Sequence, residues 1–279
     1  MLAVVVLGSV AALGLNSCGG QPVTSSNGGQ PPTSSKSSQV GTTKICQEDV
    51  YRVPASSGTY IVQNNEFNSS APECVTTDGN ADFTVANSSI DGAINGAPGG
   101  YASIYEGCHW GKCSSGGLTA TPIKVSNLTP GKVTTSWSTI QPGGGNIYDA
   151  TYDIWFNRTP ATSGQPNCTE LMIWLNHGGG VEPIGSQMAS KVSIGGLSYS
   201  IWEGPQPWGD TVTYEMTTGI TSVSGLDVGT LAQDAVRRGY LPESCYLIDV
   251  EAGFELWRGG AGLATTSFSV NIADTPGAR

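Results

Sequence analysis

Apolar and polar residues alternate along most of this chain with a period of two, the signature of half-buried β-strands. Runs of this kind are predicted at 59–63, 82–87, 101–105, 132–138, 146–156, 170–175, 191–194, 197–203 and 211–216. Two more follow at 245–257 and 262–272. Turn-forming clusters separate them, among them Asp78-Gly79-Asn80, Pro98-Gly99-Gly100, Pro142-Gly143-Gly144-Gly145 and Gly195-Gly196. One stretch, 227–238, has apolar residues at helical spacing: Val228, Leu231, Ala232, Ala235 and Val236. Asp227 suits its N-cap, Arg237 and Arg238 its last turn, and Gly239 its termination. The pattern predicts an all-β jelly-roll sandwich of two curved antiparallel sheets with one helix.

Two strands carry an acid inside an apolar, aromatic run. In Glu170-Leu171-Met172-Ile173-Trp174-Leu175, the alternation puts Glu170, Met172 and Trp174 on one face. In Gly253-Phe254-Glu255-Leu256-Trp257 it puts Glu255 with Trp257. A lone strand glutamate is normally solvated on a polar face. These two share their faces with methionine and tryptophan, which suits a sugar-binding groove lined by two acids. Glu182, Glu203, Glu215 and Glu251 have polar or turn neighbours and read as surface, and His109 and His177 read as loop residues.

Composition narrows the choices. The chain has 279 residues, 12% of them charged, with 39 glycines, seven tryptophans and ten tyrosines. Its net charge of −10 argues against nucleic acid or an anionic membrane as partner and is compatible with a neutral polysaccharide. Residues 1–18 read as a signal or lipoprotein-like leader: an apolar run ends at Leu15-Asn16-Ser17-Cys18, with Cys18 a candidate lipid anchor. Residues 19–41, rich in Ser, Thr, Gly and Pro, read as a linker, and 42–279 as the catalytic domain. The expectation is a secreted protein, lipid-anchored if Cys18 is modified, and a monomer.

Six further cysteines suit disulfides in an exported chain. Cys46–Cys74 and Cys108–Cys113 are the expected pairs, and the pairing of Cys168 with Cys245 stays open. His109 beside Cys108 lacks a second ligand pair at zinc-finger spacing, so neither metal nor cofactor is expected. No Gly-x-Ser-x-Gly elbow is present, and the glycine-rich stretches lack the lysine and helix start of a phosphate loop.

Several segments together resemble glycoside hydrolase family 12, the β-jelly-roll endoglucanases, in its bacterial branch. They are Tyr60–Asn65, Tyr101–Trp110, Tyr152–Phe156, Glu170–Leu175, Pro183–Ser186, Ala252–Trp257 and Gly259–Ala264. The resemblance implies a retaining endo-β-1,4-glucanase acting on cellulose or β-glucan, with Glu170 as nucleophile and Glu255 as acid/base. Asp153 falls on the aspartate that hydrogen-bonds the nucleophile. Asn65, Met172 and Trp174 fall on cleft positions. Where the family has a sugar-stacking tryptophan, this chain has Phe67. Trp110, Trp155, Trp202 and Trp257 are further candidates for stacking on sugar faces, whereas Trp137, between Ser136 and Ser138, suits the core. Retaining chemistry needs the two carboxyls about 5–5.5 Å apart on either side of one bond. The alternatives are a xyloglucan-specific endoglucanase of the same family and a non-catalytic carbohydrate-binding jelly roll.

Overall fold

A computed structural model describes residues 42–274. The expected leader, linker and Cys18 anchor lie outside the described residues. In chain order the first strands are β1 (Thr43–Cys46), β2 (Val50–Ala55), β3 (Gly58–Gln63), β4 (Glu73–Thr77), β5 (Phe83–Ser88) and β6 (Gly100–His109). Three two-residue strands follow, β7 (Lys112–Cys113), β8 (Ser115–Gly116) and β9 (Ile123–Lys124), with a short helix α1 (Gly117–Ala120) between the last two. Long strands resume with β10 (Val133–Ile140), β11 (Ile147–Asn157), β12 (Thr169–Gly178) and β13 (Ser186–Ile194). The chain continues through β14 (Leu197–Gln206), β15 (Gly209–Met216), β16 (Ser222–Asp227) and α2 (Val228–Arg238). It ends with β17 (Tyr246–Arg258) and β18 (Ala264–Ile272).

The strands form two sheets. The smaller runs β1-β4-β5-β18-β10-β16, and the larger runs β13-β14-β15-β12-β11-β17-β6-β3-β2, with β7, β8 and β9 attached at its flanks. All long pairings are antiparallel except β12 with β15, which is parallel; the expectation of wholly antiparallel sheets is corrected there. The chain leaves β12, builds the β13–β14 hairpin, and returns in β15 alongside β12, so the direction repeats.

The core lies between the sheets. Trp137 of β10 packs edge-on against Tyr152 of β11 at 5.3 Å, Phe83 against Phe254 at 6.0 Å, and Tyr60 against Phe268 at 5.1 Å. Trp137 is fully buried, as its position between serines suggested, and its indole N–H donates to Thr265 Oγ1 at 2.9 Å.

Helix α2 forms where the periodicity placed it. The Asp227 side chain accepts from Thr230 N at 3.1 Å, and Gly239 ends the helix in the left-handed conformation at φ 85°. It is joined by α1 and a 3-10 turn at Val125–Asn127, which the alternation pattern did not reveal. Cys46–Cys74 and Cys108–Cys113 are bonded, and Cys168–Cys245 is a third disulfide. The third bond joins the residue before β12 to the residue before β17, the two strands that carry the candidate acids.

Candidate active site

The larger sheet has one face in the core and one facing away from it, and the candidate residues occupy the second. On β12, Leu171, Ile173 and Leu175 enter the core, which sends Glu170, Met172 and Trp174 outward. On β17, Val250, Ala252, Phe254 and Leu256 enter the core, so Asp249, Glu251, Gly253, Glu255 and Trp257 point the other way. On β11, Tyr148, Ala150, Tyr152 and Ile154 do the same, leaving Asp149, Thr151, Asp153 and Trp155 outward. Because β11 lies between β12 and β17, Glu170 and Glu255 flank it on one face. The outer face of a sandwich is normally solvated. Here Glu170 is only 6% exposed and Asp153 4%, so the face is the floor of a groove.

Glu170 sits opposite Thr211 in the parallel β12–β15 register, and Thr211 Oγ1 donates to its Oε2 at 2.7 Å. Burial pushes the Glu170 carboxyl up to about 7, against the hydrogen bond from Thr211 and the nearby indole of Trp208, which lower it. Glu255 keeps partial solvent contact. Its carboxyl is nonetheless held well above the ordinary carboxylate range, first by desolvation, then by the charge and hydrogen bonding of Asp149, then by the charge of Glu170. Asp153 lies in register with Met172 on one side and Glu251 on the other. Burial, then the Glu170 charge, raise its carboxyl well above the ordinary range and favour the protonated form, and its Oδ1 has no partner. Among the described residues no hydrogen bond joins Asp153 to Glu170, whose donor is Thr211.

Two surface expectations are overturned. Glu251 is fully buried and accepts from Gln63 Nε2 at 2.7 Å, from Ser103 Oγ, and faces His109 Nδ1 at 2.9 Å. The reason is register: Glu251 pairs with Asp153 and Tyr105, deep in the sheet. His109 is the last residue of β6 and buried, not in a loop. Glu215, also read as surface, follows Thr211 and Thr213 on the groove side of β15, where it accepts from the Trp202 indole at 2.8 Å and meets His177 at 3.3 Å. Ligand-capable atoms of His109, Asp249 and Glu251 lie within 4.8 Å of one another. Gln63 and Ser103 donate to one Glu251 oxygen and His109 faces the other, so these groups form a buried hydrogen-bonded network.

The aromatic candidates divide by exposure. Phe67 is 50% exposed and Trp110 38%. Trp110, Trp155 and Trp208 form an edge-to-face cluster, with centroids 4.9 Å apart for Trp110–Trp155 and 5.9 Å for Trp155–Trp208. Trp174 and Trp257, expected as stacking surfaces, are only 2% and 5% exposed. They pack with Ile147, Met172 and Val181, and the Trp257 indole donates to Gly96 O at 2.7 Å. Their rings are walls of the groove more than platforms. Asn65 is half-buried with φ 47°, and its carbonyl accepts from Tyr101 N at 3.0 Å. The sequence reading missed Asp149, Thr211 and Trp208. A tryptophan in the Pro207-Trp208-Gly209 turn was the available signal for the last; the other two depend on register.

Comparison with known proteins accords with this arrangement. The profile of Glycosyl hydrolase family 12 matches residues 58–273. The Rhodothermus marinus endoglucanase cel12A is 36% identical, covers 84% of this chain and 100% of its own, and superposes with a TM-score of 0.75. A Mycobacterium tuberculosis protein named "Probable cellulase Cel12b" is 34% identical over 126 residues, 45% of this chain and 82% of that protein. A Phytophthora sojae protein named "Xyloglucan-specific endo-beta-1,4-glucanase 1" is 28% identical over 225 residues, 78% of this chain and 88% of that protein. With its jelly-roll fold and a match running through nearly all of the described residues, the chain belongs to glycosyl hydrolase family 12 and is a glycoside hydrolase of the endoglucanase type.

Proposed function

We propose that the protein is a retaining endo-β-1,4-glucanase that cuts cellulose or β-glucan chains internally, with Glu170 as nucleophile and Glu255 as acid/base. The observation that carries this reading is the pair of glutamates flanking β11 on one groove face in unequal surroundings. Burial raises both carboxyls; Thr211 and Trp208 partly offset this at Glu170, while Asp149 adds to it at Glu255. Unequal proton affinity in a pair of acids divides the roles. Ionised Glu170 attacks the anomeric carbon and forms a glycosyl ester while Glu255 gives its proton to the departing sugar oxygen. Glu255 then takes a proton from water, which breaks the ester and restores both groups. Asp153, kept neutral by burial, adds no second negative charge beside the nucleophile.

Binding is supported by the exposed rings of Phe67 and Trp110, whose flat faces suit the C–H faces of glucose. The buried indole N–H groups of Trp155 and Trp174 have no acceptor, and sugar hydroxyls would supply one.

The test is NMR of the first-formed product from a soluble β-glucan, with Glu170→Ala as control. Retention requires the β-anomer first; the α-anomer, or full activity in the control, sinks the assignment. Relative rates on carboxymethylcellulose, lichenan and xyloglucan decide the substrate. The xyloglucan reading is favoured by relatives named for that activity and by the smaller ring at Phe67, which leaves room for side branches. The three disulfides support export to an oxidising compartment. Mass spectrometry of the cell-associated protein beside a Cys18→Ser variant tests the lipid anchor.

A further inference from the structure

Asp149 has no part in the mechanism above, yet it is fully buried on the groove face beside the proton donor. The β11–β17 register sets it opposite Glu255. Its Oδ1 accepts from the Glu255 backbone N–H at 3.2 Å, while its Oδ2 has no hydrogen-bond partner. A carboxylate buried with one oxygen unsatisfied is costly unless something uses it. No cation pairs with Asp149 among the described ion pairs. The ionisable groups facing Glu255 are Asp149 and Asp153 from β11, Glu170 from β12, Tyr101 from β6, and Glu251 from its own strand. All are acids or a phenol, and Asp149 is the carboxyl in direct register with Glu255. Burial raises Asp149 too, but the contact between the two lowers Asp149 and raises Glu255, so of the pair Glu255 is the one that keeps the proton.

We propose that Asp149 is the positioning residue of the proton donor: it anchors the Glu255 backbone through Oδ1 and leaves Oδ2 to accept a hydrogen bond from the protonated Glu255 carboxyl between turnovers. This rests on the assignment of Glu255 as acid/base. In the first step the Glu255 proton passes to the departing glycosidic oxygen as the C–O bond breaks and the Glu170 ester forms. Glu255, now ionised, lies among other carboxyls in a desolvated site and is a stronger base than a free glutamate. In the second step it takes the proton of the attacking water as the ester breaks. Asp149 gains and loses no proton across the cycle. Its neighbouring charge raises the proton affinity of Glu255, in accord with the upward displacement of that carboxyl.

The experiment compares Asp149→Asn and Glu255→Gln in the full chain, on soluble β-glucan and on 2,4-dinitrophenyl β-cellobioside. The dinitrophenolate departs without protonation, so forming the ester on that substrate does not need the acid. Asp149→Asn retains an oxygen for the Glu255 N–H and removes the charge. It is expected to move the basic limb of kcat/KM on β-glucan down by about one pH unit. It should lower kcat/KM on β-glucan about tenfold or more near neutral pH, with a much smaller change on the dinitrophenyl substrate. Equal losses on both substrates with an unmoved basic limb would overturn the proposal in favour of a structural role. Should that variant fail to fold, Asp149→Ser carries the same readout. Glu255→Gln separates the two assignments: retained β-glucan activity there defeats the role of Glu255 itself. Loss there with an unmoved limb in Asp149→Asn defeats only the role of Asp149.

Discussion

At the scale of single residues, the groove is a set of acids packed more tightly than water would allow. Thr211 contributes a hydroxyl to Glu170 at 2.7 Å, and removing it in Thr211→Val leaves the buried carboxylate with one donor fewer. The Glu170 pKa should rise further, moving the acidic limb of kcat/KM upward and lowering kcat about tenfold at pH 5. A pH–rate profile checks this; an unmoved limb counts against it. Asp153→Asn keeps a neutral polar group at a position where burial favours the neutral form. It should therefore retain far more activity than Glu170→Gln, and a comparable collapse of the two would remove Asp153 from its supporting role. Glu73, outside the groove, is 1% exposed, neither oxygen has a partner, and burial pushes it up to about 8. A folded-state pKa above the unfolded one means the folded form binds its proton more tightly. The stability is then fully present below about pH 4.5 and lost as pH rises through 8. At pH 7 the loss is about 3 kcal/mol. Glu73→Gln should flatten the fall in Tm between pH 5 and pH 8, which a melting series reads directly.

At the scale of elements, local signals and packing agree for α2. Asp227 caps it by accepting from the Thr230 N–H and hydroxyl, and also accepts from Gly131 N at 2.9 Å. Asp227→Ala should cost about 1–2 kcal/mol in denaturant unfolding and leave kcat unchanged, since the cap lies outside the groove. The strands divide differently. Strands β6, β11, β12 and β17 were visible because each buries a core face against the other sheet, and alternation records that burial. Strands β1, β2, β4 and β16 were not. They are short and polar, and β2 carries Pro54. Their positions are fixed by neighbours, such as Cys46 paired with Cys74 across β1 and β4. The edge strands β1, β2 and β16 bury little of their own side-chain surface, so little of their position is written in their own sequence; β4 lies inside the sheet and is mostly buried, but its five residues are too few to show a period.

At the scale of the whole molecule, the groove depends on elements distant in sequence. Cys168–Cys245, 77 positions apart, ties together the starts of β12 and β17. Replacing both cysteines with serine should lower stability by about 2–5 kcal/mol. The loss would appear as a lower Tm, and activity should fall more steeply on heating than in the native protein. An unchanged Tm would show that the strands hold their spacing without the link. Alternation along the chain by itself determined the sandwich class, the helix with its caps, the face on which Glu170 and Glu255 lie, and the residues of the core. These follow from side-chain direction, which the backbone sets locally and every residue pair reports. Which acids meet which could be decided only by the tertiary structure. It took Glu251 off the surface, gave Thr211 rather than Asp153 to Glu170 as hydrogen-bond donor, and set Asp149 against Glu255. Register between strands far apart in sequence creates those contacts, and the burial that comes with it, rather than any property of the residues themselves, determines which carboxyl keeps its proton.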